Sequence, residues 1–355
     1  MRRQIGGEMR TMNRKNRWFR AAAVFMAVFM TAALWRTEPV WAAADSAKGQ
    51  ADTPVGAHGA LRVEGGSLVD SKGEKYQLYG MSTHGLAWFP QYVNQEAFQT
   101  LRDDWGTNCV RLALYTDEYN GYCSGGNQEE LRKLVENGVS YATELGMYVV
   151  VDWHVLNDRD PNVHREEAVR FFDQMAEKWK DQDNVIYEIC NEPNSGASWQ
   201  GIKEYAGEVI PVIRRHDPDA VIIVGTPTWS QDIDQALASP LEFDNVMYAL
   251  HFYAGTHTDW LRSRCEECIG KGLPIFVSEF GMCDASGNGA NDFSQASQWL
   301  DLIRRYDISY LCWNLANKNE KSSVLKPECQ KTGGWSAEDL SESGQWIRQR
   351  FREEN

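Results

Sequence analysis

The stretch from Val185 to Ile213, VIYEICNEPNSGASWQGIKEYAGEVIPVI, decides how this chain folds. Val185 to Cys190 is a short, largely apolar run of strand length, and Asn191-Glu192-Pro193 ends it. Ile202, Tyr205, Ala206, Val209 and Ile213 then recur at steps of three and four, the stripe of an amphipathic helix, with a kink expected at Pro211. Strand, polar turn and helix make one βα unit, and the unit recurs on both sides. Apolar runs near 76–81, 109–115, 148–153, 185–190, 221–225, 245–250, 275–278 and 310–313 predict eight strands. Leu131, Leu134, Val135, Ala142 and Leu145 share one helical face, and Ala168, Phe172, Met175, Ala176 and Trp179 share another. The segment 232–238 is a weaker helix, and further helices are expected near 259–271, 293–306 and 340–350. Helices between successive strands make each strand parallel to the last. The fold class is therefore α/β, a single (β/α)8 TIM barrel. Leu61–Val63 and Ser67–Val69 around Glu64-Gly65-Gly66 add a short N-terminal β-hairpin.

Outside the barrel, residues 1–44 hold eight Lys/Arg against two Asp/Glu, so the rest of a chain with net charge −14 carries −20. The basic start runs into 15 uncharged residues, Ala21 to Trp35, and then reaches Ala42-Ala43-Ala44. This is the pattern of a secretory signal peptide cleaved near Ala44; an uncleaved membrane anchor is the alternative, disfavoured because the apolar run is shorter than the roughly 20 residues that span a bilayer. Residues 45–60 read as a flexible leader and 61–355 as the barrel domain. The acidic balance excludes nucleic acid as a partner. With 43% hydrophobic and 24% charged residues, the chain is globular rather than disordered. Of eight cysteines, Cys109, Cys190 and Cys312 lie in strand-like runs and are expected free. Cys123, Cys265, Cys268, Cys283 and Cys329 leave room for one or two disulfides in an exported chain. Cys265-x-x-Cys268 has zinc-like spacing but no second pair, so no metal site is expected there.

A barrel of this kind works at the C-terminal ends of its strands. Polar residues with chemical potential fall there on every strand: His84; Arg111 and Tyr115; Asp152 and His154; Asn191 and Glu192; Thr228-Trp229; His251 and Tyr253; Glu279; Trp313-Asn314. Glu192 and Glu279 each close an apolar strand. An unpaired buried charge is costly, so two such carboxyls aimed at one mouth point to a purpose. Facing each other they repel, which raises one pKa and leaves one group protonated and one ionised. That division of labour suits glycosidic bond cleavage.

The chain resembles glycoside hydrolase family 5, in its bacterial endoglucanase branch, from about Pro54 to the C-terminus. The resemblance rests on Ser82-Thr83-His84-Gly85-Leu86-Ala87-Trp88-Phe89, Val110 to Thr116, Val151-Asp152-Trp153-His154, Val185 to Pro193, Asn245 to His257 and Phe276 to Gly281. It implies Glu192 as general acid/base and Glu279 as nucleophile of a retaining double displacement. It further implies Asn191 on the sugar 2-hydroxyl, Arg111 and Tyr253 holding Glu279 ionised, and His154 and His251 at the cleavage point. Trp313 would be the platform beside the scissile bond, with Trp88, His84, Tyr115 and Lys318 on the glycone side. The implied activity is a secreted endo-β-1,4-glucanase acting on β-glucan as a monomer, with no cofactor and no stable membrane association after cleavage. The same pair would serve on mannan, xylan or mixed-linkage glucan; other classes left open are an inactive glycan-binding surface protein and a metal-dependent hydrolase. Two departures from the family pattern, Phe280 where Trp is common and the altered loop Gly121–Gln128, are expected to bear on aglycone-side binding.

Overall fold

The computed structural model describes residues 52–354. The expected signal segment, and the leader as far as residue 51, lie outside the described residues. What is described of the leader includes a helix. Thr53 Oγ1 accepts the Gly56 amide at 3.1 Å, and Pro54 opens a five-residue turn, α1 (Pro54–His58). Val55 N–H bonds the Gly146 carbonyl at 2.9 Å, which fastens this turn to the domain. A capping Thr followed by Pro at the first helical position is a local start signal that the linker-like composition hides.

The hairpin pairs β1 (Arg62–Glu64) with β2 (Ser67–Val69) antiparallel. Eight further strands follow: β3 (Tyr79–Thr83), β4 (Cys109–Tyr115), β5 (Tyr148–His154), β6 (Val185–Glu188), β7 (Ile222–Val224), β8 (Val246–Tyr253), β9 (Ile275–Gly281) and β10 (Tyr310–Leu315). They form a closed parallel barrel in chain order, with β10 returning to β3. The connecting helices include α2 (Gln95–Thr100), α3 (Gln128–Glu144), α4 (Arg165–Trp179), α5 (Trp199–Arg214), α6 (Ile233–Ala238), α7 (Asp259–Gly270) and α8 (Phe293–Arg305), and α9 (Glu342–Glu353) follows β10. The weak segment after β7 is thus a helix of six residues, and α5 runs through Pro211.

Alternation along the strands sorts residues between two cores. On β4 and β5, Val110, Leu112, Leu114, Val149, Val151 and Trp153 belong to the layer shared with the helices. The intervening positions form the barrel interior, which changes character along the strand direction. Cys109, Tyr148, Val150, Ile186, Ile223, Met247, Ala249, Phe276 and Leu311 make an apolar lower layer, closed by Leu61 and Leu68 of the hairpin. Two residues further along come Arg111, Asp152, Glu188, Ser278 and His251, all buried. Above them stand Ala113, Tyr115 and Trp313. The apolar layer keeps water away from the ionic layer, and the ionic layer supports the mouth.

All eight cysteines are free thiols, so the room left for one or two disulfides is not used. Cys265 and Cys268 occupy the buried face of α7, one turn apart, and join the helix-side core with Cys329. Each sulfur packs as a small apolar group.

Candidate active site

Glu192 and Glu279 meet across the mouth of the barrel. One carboxylate oxygen of each and a ring nitrogen of His251 all lie within 4.8 Å of one another. The cavity around them has a volume of about 730 Å³. Ten of the twelve residues expected at the site line it: His84, Trp88, Tyr115, His154, Glu192, His251, Tyr253, Glu279, Trp313 and Lys318.

Arg111 and Asn191 are the exceptions, since both lie beneath the floor of the cleft. Arg111 is fully buried on β4. Its Nε bonds Glu188 at 2.7 Å, its Nη2 approaches Asp152 at 3.0 Å, and its Nη1 reaches Glu279 at 3.3 Å. Burial disfavours the guanidinium cation, but Asp152, Glu188 and Glu279 outweigh that and raise its pKa. Nη2 also donates to Asn191 Oδ1 at 2.6 Å. The Asn191 amide nitrogen meets His154 Nε2 and the Val155 carbonyl, each at 3.2 Å. These partners fix the Asn191 amide in the floor of the site, directly beneath the cavity that the other expected residues line. Burial and the nearby Arg111 charge keep His154 well below the usual histidine range, hence neutral. Its Nδ1–H therefore donates to Asp152 at 2.6 Å, and Nε2 accepts from Asn191.

The two facing glutamates have different partners. Tyr253 Oη donates to Glu279 Oε1 at 2.7 Å, and Arg111 meets Oε2. Burial and the Glu192 charge push the Glu279 carboxyl up to about 7, against the pull of His251, Arg111 and the Tyr253 hydroxyl. Tyr253 can lie here because residue 281 is glycine: a Cβ there would stand 2.6 Å from the Tyr253 ring.

Glu192 Oε1 instead faces His251 Nδ1 at 2.9 Å. His251 Nε2 meets Ser278 Oγ at 2.9 Å, and Ser278 Oγ donates to Glu188 Oε1 at 2.6 Å. Burial alone would raise the Glu188 pKa, yet Arg111 and His251 hold it down at about 2, so it is an anionic acceptor. The Ser278 proton must point to Glu188, which leaves Ser278 Oγ to accept Nε2–H. Nδ1 then carries or releases the one mobile proton toward Glu192. Burial opposes the His251 cation, but the carboxylates of Glu188 and Glu192 carry it up to about 9.

Sequence reading missed this lower chain of Glu188 and Ser278. Its signal was present: Glu188 shares the inward parity of Ile186 on β6, so its charge had to enter the barrel. Glu320 was missed as well; Lys318 Nζ pairs with it at 2.6 Å, beside a His84 that burial holds down at about 4. Trp229 lines the cleft from a backbone held left-handed at Thr228, Trp229 and Ser230, with φ of 59°, 55° and 55°. Trp229 N–H bonds the Pro193 carbonyl at 3.0 Å and Ser230 Oγ bonds that of Asn191 at 2.7 Å, so this strained turn is locked to the Glu192 segment. Phe280, expected to bear on the aglycone side, faces away from the cleft and stacks on Phe252 with ring centroids 5.1 Å apart. The altered loop 121–128 does not line the cavity either, although Glu118 just before it does.

Glu192, His251 and Glu279 are also the only grouping of three metal-ligating residues among the described residues. Both His251 nitrogens and both Glu279 oxygens already have protein partners, a pattern suited to holding protons. The arrangement can supply one carboxylate stabilised by donors and one carboxyl coupled to a proton reservoir.

A family model described as cellulase (glycosyl hydrolase family 5) matches residues 69–319. Endoglucanase A of Butyrivibrio fibrisolvens is 49% identical over 293 residues, 82% of this chain and 68% of that protein. Endoglucanase 5 of Pectobacterium carotovorum subsp. carotovorum is 47% identical over 84% of this chain, which spans 59% of that relative's length. Among solved structures, the catalytic domain of Thermobifida fusca endoglucanase Cel5A in complex with cellotetraose superposes with a TM-score of 0.81 at 39% identity, covering 84% of this chain and 99% of that one. A closed parallel barrel with two glutamates facing across its mouth, this match and these identities lead to one conclusion: the chain belongs to the cellulases of glycosyl hydrolase family 5.

Proposed function

We propose that this chain is an exported endo-β-1,4-glucanase that cleaves internal bonds of cellulose-type chains with retention of anomeric configuration. The observation that carries the reading is the closeness of Glu192 and Glu279, whose nearest oxygens fall within 4.8 Å. Carboxyls about 5–5.5 Å apart suit direct attack, whereas inversion needs roughly 6.5–9.5 Å to admit a water. The β-1,4-glucan substrate is supported by relatives named endoglucanase and by the cellotetraose complex of a structural neighbour.

In the first step Glu192 gives its proton to the glycosidic oxygen while Glu279 attacks the anomeric carbon. The C–O bond to the leaving sugar breaks, and a bond to the Glu279 carboxylate forms. Arg111 and Tyr253 favour the anionic Glu279 that must attack. His251 Nδ1, backed by Ser278 and Glu188, faces Glu192 Oε1 and gives it a partner for proton exchange. In the second step Glu192, now a carboxylate, takes a proton from water as that water displaces Glu279. Trp313 and Trp88 offer flat apolar faces to the sugar C–H surfaces, while Lys318, Glu320 and His84 lie where hydroxyls can be bound. Reducing-sugar release from carboxymethyl-cellulose, mannan and xylan tests the substrate, with the first expected to dominate. Proton NMR of the first-formed product tests the stereochemistry: β supports retention and α refutes it.

A further inference from the structure

Four large hydrophobic side chains are exposed among the described residues: Tyr119, Val163, Trp229 and Trp260. All four lie on segments leaving the C-terminal ends of barrel strands, the end that carries the cleft. Tyr119 follows β4, Val163 follows β5, Trp229 follows β7 and Trp260 opens α7 after β8. Exposed apolar residues without a role would scatter over the whole surface.

The three aromatic ones are arranged about the cleft. Trp229 lines it, and Tyr119 and Trp260 lie just outside, each tied to a lining residue. The Tyr119 carbonyl accepts the indole N–H of Trp88 at 2.9 Å. The Trp260 ring stands edge-on to the lining residue His257, with centroids 5.9 Å apart. The Arg264 guanidinium lies 5.7 Å from the Trp260 ring and bonds the carbonyl of Gln231, two residues beyond Trp229, at 3.1 Å. In a ring of eight strands, β3 stands opposite β7 and β4 opposite β8. Trp88 and Tyr119, after β3 and β4, therefore face Trp229 and Trp260, after β7 and β8. Glu192, beyond β6, and Glu279, on β9, fall on either side of the line joining the two pairs.

We propose that Tyr119 and Trp260 are outer sugar platforms, one at each end of the cleft, that each receive a pyranose unit of a polysaccharide overrunning the cavity. The inference rests on the glycan reading above and extends it to chain length. A pyranose C–H face is apolar and uncharged, so it needs an open aromatic face and no counter-ion. Tyr119, at 80% exposure, and Trp260, at 48%, offer such faces. Arg264 then serves to hold the Trp260 ring and the Trp229 turn in one frame.

The test is kcat/KM of Tyr119→Ala and Trp260→Ala on β-1,4-gluco-oligosaccharides from trisaccharide to octasaccharide and on a soluble β-1,4-glucan. Each substitution is expected to lower the long-to-short ratio roughly tenfold, a typical worth of one aromatic contact. The trisaccharide rate and the melting temperature should stay at wild-type values. Equal loss at all lengths, or no loss at any length, overturns the proposal. A wild-type enzyme inactive on β-1,4-glucan of every length would overturn the substrate reading and the platforms with it, a different result from an active enzyme whose variants keep its length dependence.

Discussion

Replacing Tyr253 by Phe removes one oxygen from the site and leaves the ring above Gly281. The lost contact is an O–H donor 2.7 Å from Glu279 Oε1, a hydrogen bond to an anion. Such bonds contribute about 1.5–3 kcal/mol, and about 1.4 kcal/mol moves a titration by one pH unit. Glu279 stands at about 7 because burial and Glu192 raise it, while His251, Arg111 and Tyr253 pull it down. Without the Tyr253 hydroxyl its pKa rises further. Glu279 must be ionised to attack, so activity is lost as pH falls, and the loss now begins at higher pH. The acid limb of kcat/KM, which reports the free enzyme, is expected near pH 7 in the wild type and about one to two units higher in Tyr253→Phe. The assay is a pH series on a soluble β-1,4-glucan, with a thermal melt confirming the fold. A variant with uniformly lower kcat/KM at every pH and an unmoved acid limb would refute this role for Tyr253.

At the alkaline end, loss of the His251 proton should lower kcat/KM above about pH 9. Ser278→Ala cuts the link to Glu188, so this limb should move to lower pH; an unchanged profile would remove Ser278 from the proton chain. Arg111→Met leaves Asp152, Glu188 and Glu279 without their shared buried cation, and a cost of about 3–5 kcal/mol should appear as a large fall in melting temperature by circular dichroism. An unaltered melt would contradict the ionic layer as drawn. Glu192→Gln keeps the shape but not the proton and should reduce kcat by about a hundredfold or more with an unchanged melt. For export, the enzyme recovered from culture medium is expected to begin just after Ala44 by N-terminal sequencing, and a mature N-terminus still carrying Ala21 to Trp35 would argue against cleavage.

The barrel was legible because its strands alternate with striped helices, and the face of action was legible because polar residues end every strand. Ten of the twelve expected site residues do line the cavity. What stayed hidden depends on three-dimensional neighbours. That Arg111 reaches Glu279 follows from the family resemblance, but that it also meets Asp152 and Glu188 does not, since which carboxylates surround a guanidinium is set by strands far apart in sequence. Glu188 was readable in principle from strand parity, but Ser278 became part of the site only through its position between His251 and Glu188. The disulfides that an export context allows do not form because the thiols of that group are spread between α7, loops and the helix-side core. The turn Thr228–Ser230 carries no glycine to announce its left-handed backbone; the hydrogen bonds to Asn191 and Pro193 hold it there.

In the proposed double displacement Glu279 attacks the anomeric carbon while Glu192 manages the proton. A 2-deoxy-2-fluoro-β-cellobioside with a good leaving group slows the second step and lets the covalent intermediate accumulate, so peptide mapping by mass spectrometry can locate it. A single fluorinated disaccharide is expected on the peptide containing Glu279, formed with loss of activity. An adduct on Glu192, or full inactivation with Glu279 unlabelled, would contradict it.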